Sequence, residues 1–277
     1  ELMDNPGKHV SSARNLALSR IPPSVTHLIE LIGHCIVPKD HISTRMKSWQ
    51  KYDLQATENN SEPLGALGVK VLSREGNLGL FESWVEGALS SPLGSGGGQF
   101  DNFSSAGKTK IPAFATHLRS AVQDVGGWDD DFISCQDSDL SMRMIEHGYR
   151  LMRCPETTVS MAKRTSVTRW WKMGHRYGFW RTKTVLRHPK RISLREYAPW
   201  FGLVFSAVLF ALSIEYWPIP VALYGVVLLV EALRSSIRSR RPSLLIGIPI
   251  CLFMLHTSFS IGLIDGLLRK GKASSDR

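Results

Sequence analysis

The last third of the chain constrains what the rest can be. From Tyr197 to Val230 there is one charged residue, Glu215, and from Pro242 to Ile264 there is no Asp, Glu, Lys or Arg at all. A helix needs roughly 20 consecutive apolar residues to cross the hydrocarbon layer of a bilayer. Pro218 and Pro220 divide the first run into segments near 201–217 and 221–233. The first and last segments therefore have spanning length. The middle one is short but is flanked by Tyr224 and by Arg234, which can snorkel. A soluble domain ending this way would expose a large apolar surface. A multi-pass protein of the cell's inner (plasma) membrane is expected, with membrane lipid as a partner.

Charge is unevenly placed. The net charge is +10, and eleven Lys or Arg with no Asp or Glu lie between Lys163 and Arg195. That segment alone exceeds the net charge, unlike the spread of a uniformly basic nucleic-acid binder. Within it Trp170, Trp171, Tyr177, Phe179 and Trp180 alternate with Arg169, Lys172, Arg176, Arg181, Lys183 and Arg187. Such a pattern suits stacking of single strands in a basic groove, or a helix lying among lipid headgroups. The apolar runs that follow favour the headgroup reading, and no nucleic-acid partner is expected. The positive-inside rule places this connector and Arg234–Arg241 on the cytoplasmic side, with two spans joined at Trp217-Pro218. A third full span would put Arg269, Lys270 and Lys272 outside. Either Pro249 makes the last segment bent or re-entrant, or the rule is broken there.

Cys35, Cys135, Cys154 and Cys251 are too far apart for a zinc or disulfide framework. The N-terminus has neither the basic start nor the apolar run of a signal peptide. Residues 1 to about 45 alternate like the inside of an α/β domain: helix over Ser11–Ile21, a break at Pro22-Pro23, a strand over Val25–Ile32, and helix again over Pro38–Trp49. Residues 50–77 are polar and turn-rich apart from a strand over Leu64–Leu72. A helix over 78–93 gathers Phe81, Trp84, Val85 and Ala88 on one face and stops at Pro92. The glycine run Gly94–Phe100 lacks the Lys-Ser or Lys-Thr of a phosphate loop, which predicts a plain mobile loop.

The chemistry concentrates at Ser134–Gly148, a loop turning into a helix. Leu140, Met144 and Ile145 recur at helical spacing, Arg143 follows Asp139 by four residues, and Gly148 is placed to end the helix. Two carboxylates therefore stand at the helix mouth. Asp139 has Arg143 as a helical partner and suits an anchor. Asp137 has no cation nearby in sequence and suits a general base. A capped surface helix is the plain alternative, since Asp is common at helix starts.

Gly126-Gly127-Trp128-Asp129-Asp130 precedes this stretch and Gly148-Tyr149-Arg150-Leu151 follows it. The order GG(W/F)D(D/E)…QDxDLxxRxxxxGyrl resembles the acceptor side of family 2 glycosyltransferases, in the exopolysaccharide (succinoglycan-type) branch. The segments holding Asn15, His34, "SSPLG" and Tyr177-Gly178-Phe179-Trp180-Arg181…His188-Pro189 resemble the same branch. The resemblance implies an α/β, GT-A-like (Rossmann-like) domain, incomplete at its N-terminus, followed by C-terminal transmembrane helices. Its boundaries fall at 1–160 for that domain, 161–197 for a basic-aromatic connector, 198–268 for two to three membrane helices, and 269–277 for a basic tail.

The implied reaction is inverting transfer from a nucleotide-sugar to a lipid-linked or polysaccharide acceptor, by a domain on the cytoplasmic side that can work within a polysaccharide-assembly complex. Asp137 would be the base, and Gln136, Asp139 and Arg143 would support the acceptor loop. Arg176, Trp180 and Arg181 would meet the donor pyrophosphate, with Arg169 and Trp170 as the other candidate pair. His34 would stand near a divalent cation, Mg2+ or Mn2+. Gln136 stands where many members of the family have Glu, as it often does in this branch. The chain departs from the pattern in three ways. Ile32 stands where an Asp faces the nucleotide-sugar. Lys110-Ile111 matches an expected Asp-Thr. The family's opening strand and helix would precede residue 1. A degenerate or fragmentary glycosyltransferase serving as a membrane interaction protein is the alternative.

Overall fold

The computed structural model describes residues 3–95, 100 and 103–269. In chain order the elements are α1 (Val10–Arg20), β1 (His27–Ile29), β2 (Cys35–Ile36), α2 (His41–Glu58), β3 (Leu64–Ser73), α3 (Leu80–Ser90) and α4 (Pro92–Ser95). Then come β4 (Gly107–Lys108), β5 (Thr116–Leu118), α5 (Arg119–Asp124), α6 (Gln136–Glu146), β6 (Arg150–Met161) and α7 (Val167–Arg187). A 3-10 turn (Pro189–Arg191) leads to α8 (Leu194–Ala211), α9 (Pro218–Ser239) and α10 (Leu244–Leu268). These elements form two compact units, one of Glu1–Arg74 with Gly98–Met161, the other of Glu75–Gly97 with Ala162–Arg277.

The first unit is built on a mixed sheet of order β1-β5-β3-β6-β2, with β4 also paired to β6. Long β3 and β6 run parallel at its centre, and the short strands add antiparallel at the edges. The β3 sequence is apolar from Leu64 to Val69 because both its faces are covered there, and Lys70 interrupts the run beyond. One face packs Leu64, Leu67, Val69, Met152 and Cys154 under Trp49 and Tyr52 of α2. The other packs Ala66 and Leu151 under Val122 of α5, Trp128, and Leu140 and Met144 of α6. This mixed α/β layering fits the expected GT-A-like domain.

Several boundaries differ from the sequence reading, each for a physical reason. The strand expected over Val25–Ile32 pairs only at His27–Ile29, as an edge strand against β5. Helix α2 continues past Trp49 to Glu58, because Trp49, Tyr52 and Ala56 keep a buried stripe at helical spacing through polar surroundings. Pro92 begins the single turn α4, and residues 96–99 of the glycine run lie outside the described residues, as do residues 270–277 of the basic tail.

The second unit also corrects the ranking of the apolar segments. Two of its helices are long and apolar enough to cross a membrane, Pro218–Ser239 and Leu244–Leu268. Pro218 and Pro220 sit in the first turn of α9, where a missing N–H costs nothing, so they start the helix and do not shorten it. The 18-residue α8 opens with Arg195 and Glu196, which spend its first turn on charge.

Candidate active site

Two glycines shape the turn ahead of α6. Gly126 and Gly127 adopt φ +80° and +74°, in the left-handed region that favours glycine. A Cβ on Gly127 would come within 2.6 Å of Asn15 Oδ1. That closeness lets Asn15 splint the turn: its Nδ2 donates to Trp128 O (2.7 Å) and its Oδ1 accepts from Trp128 N (2.9 Å). Helix α1 is thereby fixed against the loop that presents α6.

Helix α6 starts at Gln136, half-buried, with Asp137 and Asp139 in its first turn, where the unpaired N–H groups favour negative charge. Asp139 is fully buried. Arg143 donates to its Oδ2 from Nε (2.9 Å) and Nη2 (2.7 Å), and from Nη1 to Val125 O. The same guanidinium thus ties α6 to the chain just before Gly126.

Asp137 is different: its side chain keeps 51% of its surface open. It has a strong cation, though one remote in sequence. Arg14 donates from Nη1 to Asp137 Oδ1 (2.5 Å) and from Nη2 to Glu30 Oε2 (2.6 Å). His117 Nε2 stands 3.4 Å from Glu30 Oε1. Trp128 lies beneath, 5.5 Å from the Arg14 guanidinium and edge-on to His117. Burial of the chain around Asp137 and the nearby Glu30 charge push its carboxyl above the ordinary carboxylate range, against the pull of Arg14. Burial alone would raise Glu30 as well, but His117, Arg14 and Arg45 bring it below its usual value.

A second tier lies deeper. Fully buried Arg45 donates from Nε to His41 Nε2 (2.8 Å) and from Nη1 to Thr116 Oγ1 (3.2 Å). Burial, with Arg45 beside it, lowers the His41 pKa to about 4. A neutral ring that accepts at Nε2 carries its proton on Nδ1, which faces Thr157 Oγ1 at 3.0 Å. Arg45 itself falls to about 10 through burial and stays charged at neutral pH. Arg45 Nη2, His117 Nδ1 and Trp128 Nε1 are buried with no hydrogen-bond partner among the described residues.

Arg14, Glu30, His41, Arg45 and His117 were not singled out in the sequence. Two signals were present. Glu30 interrupts the apolar run His27–Ile32, and Arg14 adjoins Asn15 on one helix.

The remaining expected residues are placed as follows. His34 is exposed in the turn between β1 and β2, and Ile32 is 37% exposed just before it. Among the described residues no group of three His, Cys, Asp or Glu side chains is arranged to hold a metal. Glu30, the carboxylate nearest this strand end, is already engaged by Arg14 and His117. Arg176, Trp180 and Arg181 lie on α7, in the second unit. Arg176 is exposed, Trp180 is buried edge-on to Phe179, and Arg181 Nε lies 3.1 Å from Glu196 Oε2.

No family model matches the chain. It is similar to the succinoglycan biosynthesis protein ExoA of Rhizobium meliloti, 24% identical over 270 residues, which covers 96% of this chain and 77% of that protein. It is 30% identical over 142 residues to the dolichyl N-acetyl-alpha-D-glucosaminyl phosphate 3-beta-D-2,3-diacetamido-2,3-dideoxy-beta-D-glucuronosyltransferase of Methanococcus voltae, over 51% of this chain and 42% of that one. A third likeness, 37% over 82 residues, is to the pre-mycofactocin glycosyltransferase of Mycobacterium tuberculosis, over 29% of this chain and 17% of that one. These likenesses bear out the expected family 2 resemblance and a transferase class of enzyme.

Proposed function

We propose that this chain, a glycosyltransferase by its likeness to those proteins, is membrane-bound and moves a sugar from a nucleotide-sugar to a lipid-linked or polysaccharide acceptor with inversion. The observation that carries the reading is the state of Asp137. It is a half-open carboxylate at a helix mouth, held on one oxygen by Arg14, while the neighbouring Asp139 is locked away by Arg143. Two carboxylates in one turn thus have opposite environments, one suited to proton transfer and one to anchoring.

In the proposed step the acceptor hydroxyl meets Asp137 Oδ2 and gives up its proton as its oxygen attacks the anomeric carbon. The bond from that carbon to the nucleoside diphosphate breaks, and the diphosphate leaves with the electron pair. Arg14 keeps Asp137 ionised, Glu30 holds Arg14, and His117 stands against Glu30. The unpartnered polar atoms of Arg45, His117 and Trp128 support a polar ligand close by. Membrane attachment would keep the site beside a lipid-borne acceptor and raise its effective concentration. Ile32 at the strand end favours a second reading, a catalytically inactive membrane partner. Transfer assays separate the two, because only the first yields product.

The Arg14 contact gives a signed pH prediction. A base works above its own pKa, so transfer falls as pH drops through that of Asp137. Arg14 lowers this pKa, so Arg14→Gln should move the acid limb of the kcat/KM profile towards neutral pH. Glu30→Gln removes a charge that raises it, and should move the limb the other way. Limbs that stay in place in both variants would remove Asp137 from the role of base.

A further inference from the structure

We propose that the turn joining α9 to α10 is a binding site for the phosphate headgroup of an anionic membrane phospholipid, held by Arg234, Arg238, Arg240 and Arg241. The inference lies within the second unit and rests on the membrane-bound part of the reading above.

The two helices that are long and apolar enough to cross a membrane meet at this turn. They are fixed against each other along their length. Tyr224 Oη of α9 lies 2.8 Å from His256 Nδ1 of α10. Leu228, Ala232 and Ser236, four residues apart, form the buried stripe of α9. Helix α10 is gripped from other sides too. A Cβ on Gly174 or Gly178 of α7 would come within 2.0 Å of α10, and one on Gly262 of α10 within 2.0 Å of α7. Backbones that close are the use of small residues between packed helices. Near the start of α10, a Cβ on Gly247 would meet the Trp84 ring of α3 at 2.0 Å. The turn therefore has a fixed place at the end of a packed pair.

The backbone of the turn is satisfied from within. Arg240 takes φ +54° as the C-cap of α9, a place that glycine often fills. Arg240 N donates to Ile237 O (3.3 Å), Arg241 N to Ser236 O (3.1 Å), and Ser236 Oγ to Arg241 O (2.9 Å).

The side chains are another matter. Four arginines fall within residues 234–241, and no Asp or Glu occurs from Ala232 to Ile264. All four arginines are exposed. Arg234 stands 3.7 Å from Glu231, and Arg241 donates to Ser83 Oγ (3.3 Å). Arg238 and Arg240 have no side-chain partner among the described residues. The dipole of α9 favours a cation in its last turn, which accounts for Arg238 alone. Four cations against Glu231 remain a surplus of positive charge at one corner.

Beside the cations the surface turns apolar. Leu233 and Ile237 on α9, and Leu245 and Ile246 on α10, are exposed. A cationic cap over an apolar collar matches the two parts of an anionic phospholipid. Guanidinium forks meet the phosphate oxygens, and acyl chains cover the collar. A soluble phosphate would use the cap and leave the collar in water.

Lipid titration of the full chain in a neutral detergent tests this. Dioleoylphosphatidylglycerol is the probe, and dioleoylphosphatidylcholine and inorganic phosphate are the comparisons. The readout is Tm, because a ligand that binds the folded state raises it. A saturable rise with phosphatidylglycerol is expected, with little from the other two. Arg238→Gln with Arg240→Gln should weaken the response about fivefold per arginine. Arg238→Lys with Arg240→Lys keeps the charge and should keep most of the response. Lys39→Gln with Lys47→Gln removes two exposed charges from the first unit and should change nothing. An undiminished response in the first double variant, or an equal response to phosphatidylcholine or to phosphate, overturns the site. Either of these from a chain that fractionates with membranes leaves the membrane-bound reading standing. Recovery of the untagged chain in the soluble fraction overturns both.

Discussion

Asp137→Asn is expected to reduce transfer by about 10²–10⁴-fold, the range that a positioned general base supplies. The amide keeps the shape of the side chain and can still accept from Arg14 through its oxygen, so folding should be unchanged. What it loses is a basic lone pair to take the proton from the acceptor hydroxyl. Donor binding should persist, so the fall should appear in kcat with little change in donor KM. Near-normal turnover in a folded Asp137→Asn protein would remove the assignment. A parallel Asp139→Asn protein should instead lose stability, because Asp139 is fully buried on the Arg143 guanidinium.

The second large effect concerns that anchor. Arg143→Ala leaves the Asp139 carboxylate, with 0% of its side chain exposed, without its guanidinium. Breaking a buried ion pair by removing one partner costs about 3–5 kcal/mol. Backbone N–H groups at the helix start offset part of this, so about 3 kcal/mol is expected. Thermal unfolding of the detergent-solubilised protein should show a clear fall in Tm. Replacing both partners, Asp139→Leu with Arg143→Met, should recover part of the loss, since no unpaired charge remains buried. A double variant no better than Arg143→Ala alone would mean that the Val125 carbonyl contact is the dominant tie.

What could be read from sequence follows the range of the interactions. Helix α6, its end at Gly148 and the Asp139–Arg143 pair are local, set by spacings of three and four, and they stand as expected. The Asp137–Arg14 contact joins residues 123 apart, and Glu30 and His117 add partners from two further segments. No periodicity marks such a network; only the odd charge of Glu30 in an apolar run and the place of Arg14 beside Asn15 hinted at it. Helix α3 shows a similar limit. Its apolar face was legible, but Glu82 and Glu86 are buried too, and Glu86 lies 3.5 Å from Lys163, far along the chain. The pairing of α7 with α10 was hidden for another reason. The aromatic and cationic residues of α7 draw the eye to a lipid surface, while the glycines that dock it carry no hydropathy signal.

The central claim is that this site binds a nucleotide-sugar and transfers from it. The most direct measurement is titration calorimetry of the purified full chain in detergent with UDP- and GDP-sugars, with Mg2+ or Mn2+ and without either, followed by product detection with a lipid-linked acceptor. Saturable binding of one donor class, with product formed by the unaltered chain and lost in Asp137→Asn, is the predicted result. A folded protein that binds no donor and forms no product under any of these conditions would contradict it, and would leave the inactive membrane partner as the reading of the chain.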